Sequence, residues 1–174
     1  MVDLILVDES DKQIGTDEKL SAHKNGGKLH RAISVCVFNS KGELLLQQRA
    51  ATKYHAKSQW ANTVCSHPYP DESSDAAAHR RLKEELGFDC ALREAFTFIY
   101  KADVGSGLTE HEFDHVFFGR YDGEPAPDQK EVQDWEYVPL KEIGEELKTQ
   151  PSKYAPWFKY IFERLGTQEI SSYL

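Results

Sequence analysis

The 174-residue chain lacks the features that mark membrane proteins and general nucleic-acid binders. No apolar run approaches the length needed to cross a bilayer, and hydrophobic residues make up 40% and charged residues 29%, as in ordinary globular domains. Acidic residues outnumber basic ones 29 to 21, and the net charge of -8 opposes broad binding to phosphate backbones. We therefore expect neither a membrane nor a nucleic acid as a partner, although a local basic pocket could still bind a small anion.

Cysteine is also scarce. The chain has three, Cys36, Cys65 and Cys90, and an odd number cannot pair completely in disulfides. No positively charged segment precedes an apolar stretch, as it does in export signals. We therefore expect reduced thiols in a cytoplasmic protein. Repeats and low-complexity segments are missing too, so residues 1–174 are predicted to form one domain, with a monomer slightly favoured over an oligomer.

The apolar pattern predicts a mixed arrangement of short elements. Strands are expected at residues 4–8, 32–38, 43–48, 63–65, 96–101, 113–121 and 135–138, and helices at 74–86, 140–148 and 153–165. A turn is expected at residues 11–15, and residues 39–42 read as the loop of a hairpin. Hairpins dominate over βαβ repeats, which predicts an α+β fold with a mixed sheet and helices on its faces.

The segment 74–86 gives the clearest helix signal. Ser73 and Ser74 are candidate N-caps, Asp75 lies in the first turn, and Gly87 follows the last turn. Arg81 and Glu85 are four residues apart and share one helix face. Such pairs can line a site, or they can be ordinary ion pairs on a solvated surface, and spacing alone does not choose between them.

Residues 66–88 contain the pattern Glu72-x7-Arg80-x-Leu82-x-Glu84-Glu85-x-Gly87-Phe88. This pattern resembles the Nudix box, a loop-helix-loop motif whose glutamates hold divalent metal against a diphosphate. Two positions depart from the box: Ser66 stands at the leading glycine, and Arg81 replaces the glutamate after the box arginine. The matching residues are Glu72, Arg80, Leu82, Glu84, Glu85, Gly87 and Phe88.

A box altered in this way is similar to that of the type 1 isopentenyl-diphosphate isomerases. Cys65-Ser66-His67-Pro68 is similar to their Cys-x-His-Pro signature, and Glu110-His111-Glu112 to their Glu-x-Glu. Residues 29–32 match their Leu-His-x-Ala, and His23 falls at their first metal histidine. The resemblance extends from about residue 19 to residue 112, and weakly to residues 156–157.

The spacing of these residues supports a metal site. Side chains two apart on a strand share a face, so Cys65 and His67 can converge, as can Glu110 and Glu112. Three imidazoles and two carboxylates favour Mn or Mg, with Zn possible. This set is His23, His30, His67, Glu110 and Glu112. Each histidine taken singly could equally be a packed or surface residue, which is the interpretation kept for His55, His79, His111 and His115.

The resemblance implies a Nudix-like fold, an α/β/α sandwich. It also implies an enzyme of isoprenoid biosynthesis whose substrate is a prenyl diphosphate. This enzyme would interconvert isopentenyl and dimethylallyl diphosphate through a carbocation. Cys65 and Glu112 would be the acid and base, with Tyr100 assisting and Trp60 and Trp157 facing the cation. The diphosphate would be held by a bridging Mg on Glu85, aided by the Cys65 carbonyl, and by four cations: Lys19, Arg49, Lys53 and Arg81.

Two alternatives remain at this level. One is a Nudix hydrolase acting on a nucleoside diphosphate derivative, which Glu84 and Glu85 allow but in which Arg81 has no role. The other is a non-catalytic module that binds metal or a prenyl diphosphate and uses Cys65 only for packing. The acid and base roles of Cys65 and Glu112 could also exchange between the two directions of the reaction.

Overall fold

The computed structural model describes residues 3–53, 55–166, 168 and 170–173. Over these residues the chain forms nine strands and four α-helices: β1 (Asp3–Val7), β2 (Gln13–Glu18), α1 (Lys19–His23), β3 (His30–Phe38), β4 (Glu43–Arg49), β5 (Trp60–Ala61), β6 (Val64–Ser66), α2 (Ser74–Leu86), β7 (Leu92–Gly105), β8 (Leu108–Arg120), β9 (Val132–Pro139), α3 (Leu140–Thr149) and α4 (Phe158–Leu165). Short 3-10 turns lie at Pro151–Lys153 and Ile170–Ser172.

The strands form one mixed sheet with β3 at its centre. β3 pairs antiparallel with β1, β4 and β6, and parallel with β8. The β3–β8 register places His30 beside Glu112, and the β3–β6 register places Ser34 beside Cys65. One strand therefore brings together residues that are far apart in sequence.

Helices cover both faces of this sheet, which confirms the predicted α+β class and its α/β/α layers. On one face, α2 packs through Ala77, Ala78 and Leu82 against buried β3 residues such as Ile33 and Val35. On the other face, the helices α3 and α4 contribute Ile143, Phe158, Ile161 and Leu165, which pack against Phe38, Leu44 and Phe118. None of the helices in the described part of the chain is long and apolar enough to cross a membrane.

The helix α2 begins and ends where its capping residues predict. The Ser73 hydroxyl accepts a hydrogen bond from the Ala76 N–H, and Gly87 ends the helix at a φ of 73°. A Cβ at Gly87 would also meet the Ala126 carbonyl oxygen at 2.5 Å. Both the positive φ and this close contact therefore favour glycine at the position. Arg80 on this helix forms a two-pronged ion pair with Glu72, at 2.7 Å for each contact, which ties the preceding loop to the helix.

Two predicted elements are wrong in their bounds. The turn lies at residues 8–12 and residues 13–18 form β2, a largely polar strand without an apolar alternation. The predicted helix 153–165 begins only at Phe158, because Pro156 has no N–H and disfavours helical backbone before it. The Ala155 N–H instead donates to the Trp60 carbonyl at 2.8 Å.

The remaining strand predictions are confirmed in place, but they are too short for β7, β8 and β9. In β8 the alternation is inverted over its first half, where Glu110, Glu112 and Asp114 are the buried residues and their neighbours are more exposed. Buried carboxylates at successive inward positions are costly unless they are paired, so this strand points to a site rather than to a plain core.

Candidate active site

Three histidines meet at one end of β3. His23 ends α1, His30 begins β3, and His67 follows β6. Their ring centroids lie 4.8 to 5.9 Å apart. One ligand atom from each of them and one from Glu112 all lie within 4.8 Å of one another. The predicted convergence of these four residues is therefore present.

The hydrogen bonds of two of these rings leave a lone pair facing the cluster. His23 Nδ1 lies 2.7 Å from the Lys19 carbonyl oxygen, and His30 Nδ1 lies 2.8 Å from that of Lys28. A carbonyl only accepts, so each Nδ1 carries a hydrogen, and in a neutral ring the lone pair is then on Nε2. Both Nε2 atoms are buried and make no hydrogen bond within the described chain. Buried Nε2 atoms without a hydrogen bond, on rings oriented by their Nδ1 hydrogen bonds, fit the binding of a divalent cation.

The protonation states of this cluster agree with that fit. Burial lowers the pKa of His23, and it lowers the pKa of His67 to about 3, so both rings are neutral near pH 7. Burial alone would raise the pKa of Glu112, but its contacts with His30 and His67 outweigh burial and hold that pKa well below the ordinary value. The carboxylate of Glu112 is therefore ionised.

Glu110 lies outside the group of four. His55 Nε2 is 3.0 Å from its Oε1, and the Tyr100 hydroxyl is 3.2 Å from its Oε2. The same hydroxyl makes a short hydrogen bond to Glu112 Oε2. Burial and the neighbouring charge of Glu112 raise the pKa of Glu110 well above its ordinary value. His55 is a buried residue, one of the two interpretations kept for it from the sequence, and its ring bonds Glu110.

The Cys65 thiol contacts an amide, an indole and a hydroxyl, unlike the carboxylates of Glu110 and Glu112, which contact imidazoles and a phenol. Its Sγ donates to Asn62 Oδ1 at 2.8 Å, receives a hydrogen bond from Trp157 Nε1 at 3.1 Å, and lies 3.5 Å from the Ser34 hydroxyl. Burial and the nearby Asp114 raise the pKa of this thiol well above its ordinary value. The thiol is therefore neutral and able to donate a proton.

The four predicted diphosphate-binding cations line the same cavity as Cys65, Tyr100, Glu112 and Trp157. These cations are Lys19, Arg49, Lys53 and Arg81. Their convergence gives a net acidic protein one local basic pocket, which suits a small anion.

The box helix contributes through a chain of ion pairs. Arg81 Nη2 contacts Glu85 Oε1 at 2.6 Å, and the other oxygen of this buried carboxylate accepts from Gln47 at 2.8 Å. Arg81 also lies 3.5 Å from Glu131, which makes a short ion pair with Lys53. Glu131 holds two of the four cations and was not found from the sequence, because it is about 50 residues from one and 80 from the other.

The aromatic residues divide between the cavity and the rest of the fold. Trp157 lines the cavity, and the Arg49 guanidinium lies 5.0 Å from its ring centroid. Trp60 does not line the cavity; its ring faces Lys153 at 5.9 Å, and its backbone bridges to Tyr154. Trp135 is partly buried and packs against the core cluster beneath α2.

Comparison with known proteins assigns the class. Residues 28–161 match the NUDIX domain model. The fold is similar to that of a Deinococcus radiodurans protein of known structure, with a TM-score of 0.78 and 18% identity over 93% of this chain and 98% of that one. It is also similar to the MutT protein of Methanosarcina mazei, with a TM-score of 0.63 and 18% identity over 80% and 96% of the two chains.

Relatives of higher identity narrow the class. The isopentenyl-diphosphate Delta-isomerase 2 of Aromatoleum aromaticum is 50% identical over 93% of this chain and 85% of its own. The isopentenyl-diphosphate Delta-isomerase of Pectobacterium atrosepticum is 47% identical over 95% and 92% of the two chains. The chain therefore belongs to the isopentenyl-diphosphate Delta-isomerase family of NUDIX-domain proteins.

Proposed function

We propose that this enzyme interconverts isopentenyl and dimethylallyl diphosphate, a step of isoprenoid biosynthesis, by adding one proton and removing another through a tertiary carbocation. The observation that carries the proposal is the pairing of two groups in one cavity: a neutral thiol at Cys65 and an ionised carboxylate at Glu112. An allylic isomerisation needs an acid and a base at once, and this cavity offers both.

The proton transfers balance between these two groups. The Cys65 thiol gives its proton to the terminal alkene carbon, and the electrons of the double bond form the new C–H bond and leave a cation on the tertiary carbon. The Glu112 carboxylate then takes a proton from the carbon next to the diphosphate-bearing one, on the other side of the cation, and that C–H pair becomes the new double bond. In the reverse direction the two residues exchange roles.

Neighbouring side chains support each transfer. Tyr100 donates to Glu112 Oε2 and fixes the direction of that carboxylate. Trp157 donates to the Cys65 sulfur through Nε1, which stabilises the thiolate left after protonation, and its indole face can stabilise the cation. Trp60 lies outside the cavity lining and is left out of the proposal.

The metal-binding part of the proposal uses the residues that already converge. His23, His30, His67 and Glu112 would hold a Mn or Mg ion, with Glu110 as a further carboxylate from the same face of β8. When bound, such an ion supplies positive charge that makes a neighbouring carboxyl group more acidic.

The substrate anion would lie among the four cations. Lys19, Arg49, Lys53 and Arg81 line one side of the cavity, and Glu85 beside Arg81 would hold a Mg ion on the diphosphate with the Cys65 carbonyl. Arg81 also stands where the Nudix box has a glutamate, so one carboxylate that the box uses to hold divalent metal is absent, which disfavours hydrolysis.

The test is an assay of the purified chain with Mg, Mn and isopentenyl diphosphate. Proton NMR follows dimethylallyl diphosphate, and phosphorus NMR follows released phosphate or pyrophosphate. We expect the allylic product without phosphate release. Phosphate release would instead support a hydrolase, and tight binding of substrate with no product at all would support a non-catalytic module.

A further inference from the structure

His55 lies in the segment between β4 and β5, and its side chain is buried, with 8% exposed. It lines the cavity together with the groups proposed to move protons. Neither the box nor the other motifs of the sequence include it. These motifs therefore do not explain the contacts of His55.

One contact joins His55 to the carboxylates of β8. Its Nε2 is 3.0 Å from Glu110 Oε1, and with the hydrogen on Nε2 the ring donates to that oxygen. The other oxygen of Glu110 lies 3.2 Å from the Tyr100 hydroxyl, which in turn bonds Glu112. His55 thus stands at the outer end of a chain of hydrogen bonds that ends on the proposed base.

A second contact joins His55 to Trp157. Its ring meets the Trp157 indole at a centroid distance of 5.6 Å and an angle of 63°. Trp157 donates its Nε1–H to Cys65. The same imidazole therefore contacts both the carboxylate chain and the indole that holds the thiol.

We propose that His55 is a positioning residue for the isomerisation, whose Nε2–H holds Glu110 against Tyr100 and thereby fixes Tyr100 on Glu112. This inference rests on the proposed function. It differs from a packing role, in which only the shape of the ring against Trp157 would matter. It also differs from a metal-binding role, because His55 does not belong to the group of four ligand atoms.

Two substitutions separate the two contacts of His55. His55→Gln keeps an N–H donor at about the reach of Nε2 but removes the ring, whereas His55→Phe keeps a ring against Trp157 but removes the donor. We expect His55→Phe to lower kcat by about 10- to 100-fold with KM within about threefold, as for other residues that orient a functional group. We expect His55→Gln to keep kcat within about threefold of the wild type.

Further measurements identify the cause of any loss. The affinity for Mn, read by electron paramagnetic resonance, should stay within about threefold in both variants, since the ligand group is intact. Circular dichroism melts check folding, and His55→Asn, which is polar but too short to reach Glu110, replaces His55→Phe if that variant does not fold. His79→Gln is the matched control, because His79 pairs with Asp89 on the outer side of α2.

The outcomes are distinct. Loss in His55→Phe with rescue in His55→Gln supports the inference. Wild-type kcat in His55→Phe, the reverse order of the two variants, or a loss of Mn affinity that matches the loss of kcat would each overturn it while the wild-type isomerase activity stands. A wild-type chain that makes no allylic product would overturn the proposed function, and the inference with it.

Discussion

Cys65 and Glu112 line the same cavity, but their surroundings are of opposite kinds. The thiol is surrounded by neutral partners, the Asn62 amide, the Trp157 indole and the Ser34 hydroxyl. The carboxylate is surrounded by imidazoles and a phenol, from His30, His67 and Tyr100. Burial raises the pKa of the thiol, whereas the imidazole contacts hold the pKa of the carboxylate low despite burial.

The difference teaches that burial alone does not decide the protonation state of a group in this cavity. Burial disfavours the charged form of either group, and the outcome depends on whether the neighbours can stabilise a charge. Neutral dipoles keep an acid loaded with its proton, and imidazoles keep a base ready to accept one. An enzyme that must protonate and deprotonate one substrate needs both conditions within one small cavity.

The largest expected effect comes from removing the thiol that is proposed as the acid. We expect Cys65→Ala to lower kcat by about 1,000-fold or more, because an alkene is a poor base and no other thiol lines the cavity in the described chain. Substrate affinity, measured by calorimetry, should change by less than about threefold. Cys90→Ala is the control, a partly buried cysteine beyond the cavity. Turnover retained in Cys65→Ala would show that the Cys65 thiol is not the proton donor that the comparison with Glu112 assumes.

A charge reversal on the anion side should have the next largest effect. Arg81→Glu would place a third carboxylate beside Glu85 and Glu131, where Arg81 now makes contacts of 2.6 and 3.5 Å. We expect diphosphate affinity to fall by about 100-fold or more, the scale of losing a charged hydrogen bond and adding repulsion. Calorimetry with substrate measures this.

The matched control is Lys83→Glu, which makes the same charge change two residues along α2 at a side chain that is 60% exposed. We expect little change in affinity there. Equal losses in both variants would mean that overall charge, rather than contact at Arg81, governs binding. Retained substrate binding in Arg81→Glu would count against the assignment of this cavity to the diphosphate.

Metal removal tests the side of the cavity that carries Glu112 and the histidines. Chelation followed by dialysis is expected to abolish isomerase activity and to lower the free energy of unfolding by about 2 to 3 kcal/mol relative to a saturated sample, since the ion binds only the folded chain. Denaturant unfolding with and without Mn measures the change. A triple variant of the histidine cluster, His23, His30 and His67 each to Asn, should show no response to Mn, and a response there would place the ion elsewhere.

The sequence predicted helix boundaries and other local features from the residues themselves. It predicted the meeting of residues distant in sequence only through the family resemblance. The helix α2 follows from its own cap at Ser73 and its own stop at Gly87, signals within a few residues of the structure they determine. The predicted helix at residues 153–165 is wrong in its first five residues, because Pro156 opposes the helix that the apolar pattern favours. The strand β2 was missed because its residues are mostly exposed and polar.

The site shows the same division. Spacing placed Glu110 and Glu112 on one face of a strand, but their meeting with His30 and His67 depends on the parallel register of β3 and β8 and the docking of β6. His55 lies 55 residues from Glu110, and Glu131 lies 50 residues from Arg81. No local pattern joins such pairs, so only the folded chain reveals them.

The smallest expected effect is on the pH dependence of stability, and it tests both sides of the comparison at once. A group whose pKa is raised by folding contributes stability below its unfolded pKa and loses it as pH rises. The Cys65 thiol titrates near pH 9 in the unfolded chain and well above that in the fold. Above pH 9 the wild type should therefore lose about 1.4 kcal/mol per pH unit more than Cys65→Ala does.

The acid side has the opposite sign. The pKa of Glu112 is lowered by folding, so its contribution is present above about pH 4.5, the range in which an unfolded glutamate is ionised, and is lost as pH falls. Metal-free Glu112→Gln should therefore lose less stability than the metal-free wild type between pH 5 and pH 3, since the glutamine has no proton to gain. Urea unfolding across both ranges, in the presence of a reductant, measures the two slopes. If Cys65→Ala changed the acid slope, or Glu112→Gln the alkaline one, the two groups would be coupled too strongly to be treated as separate acid and base.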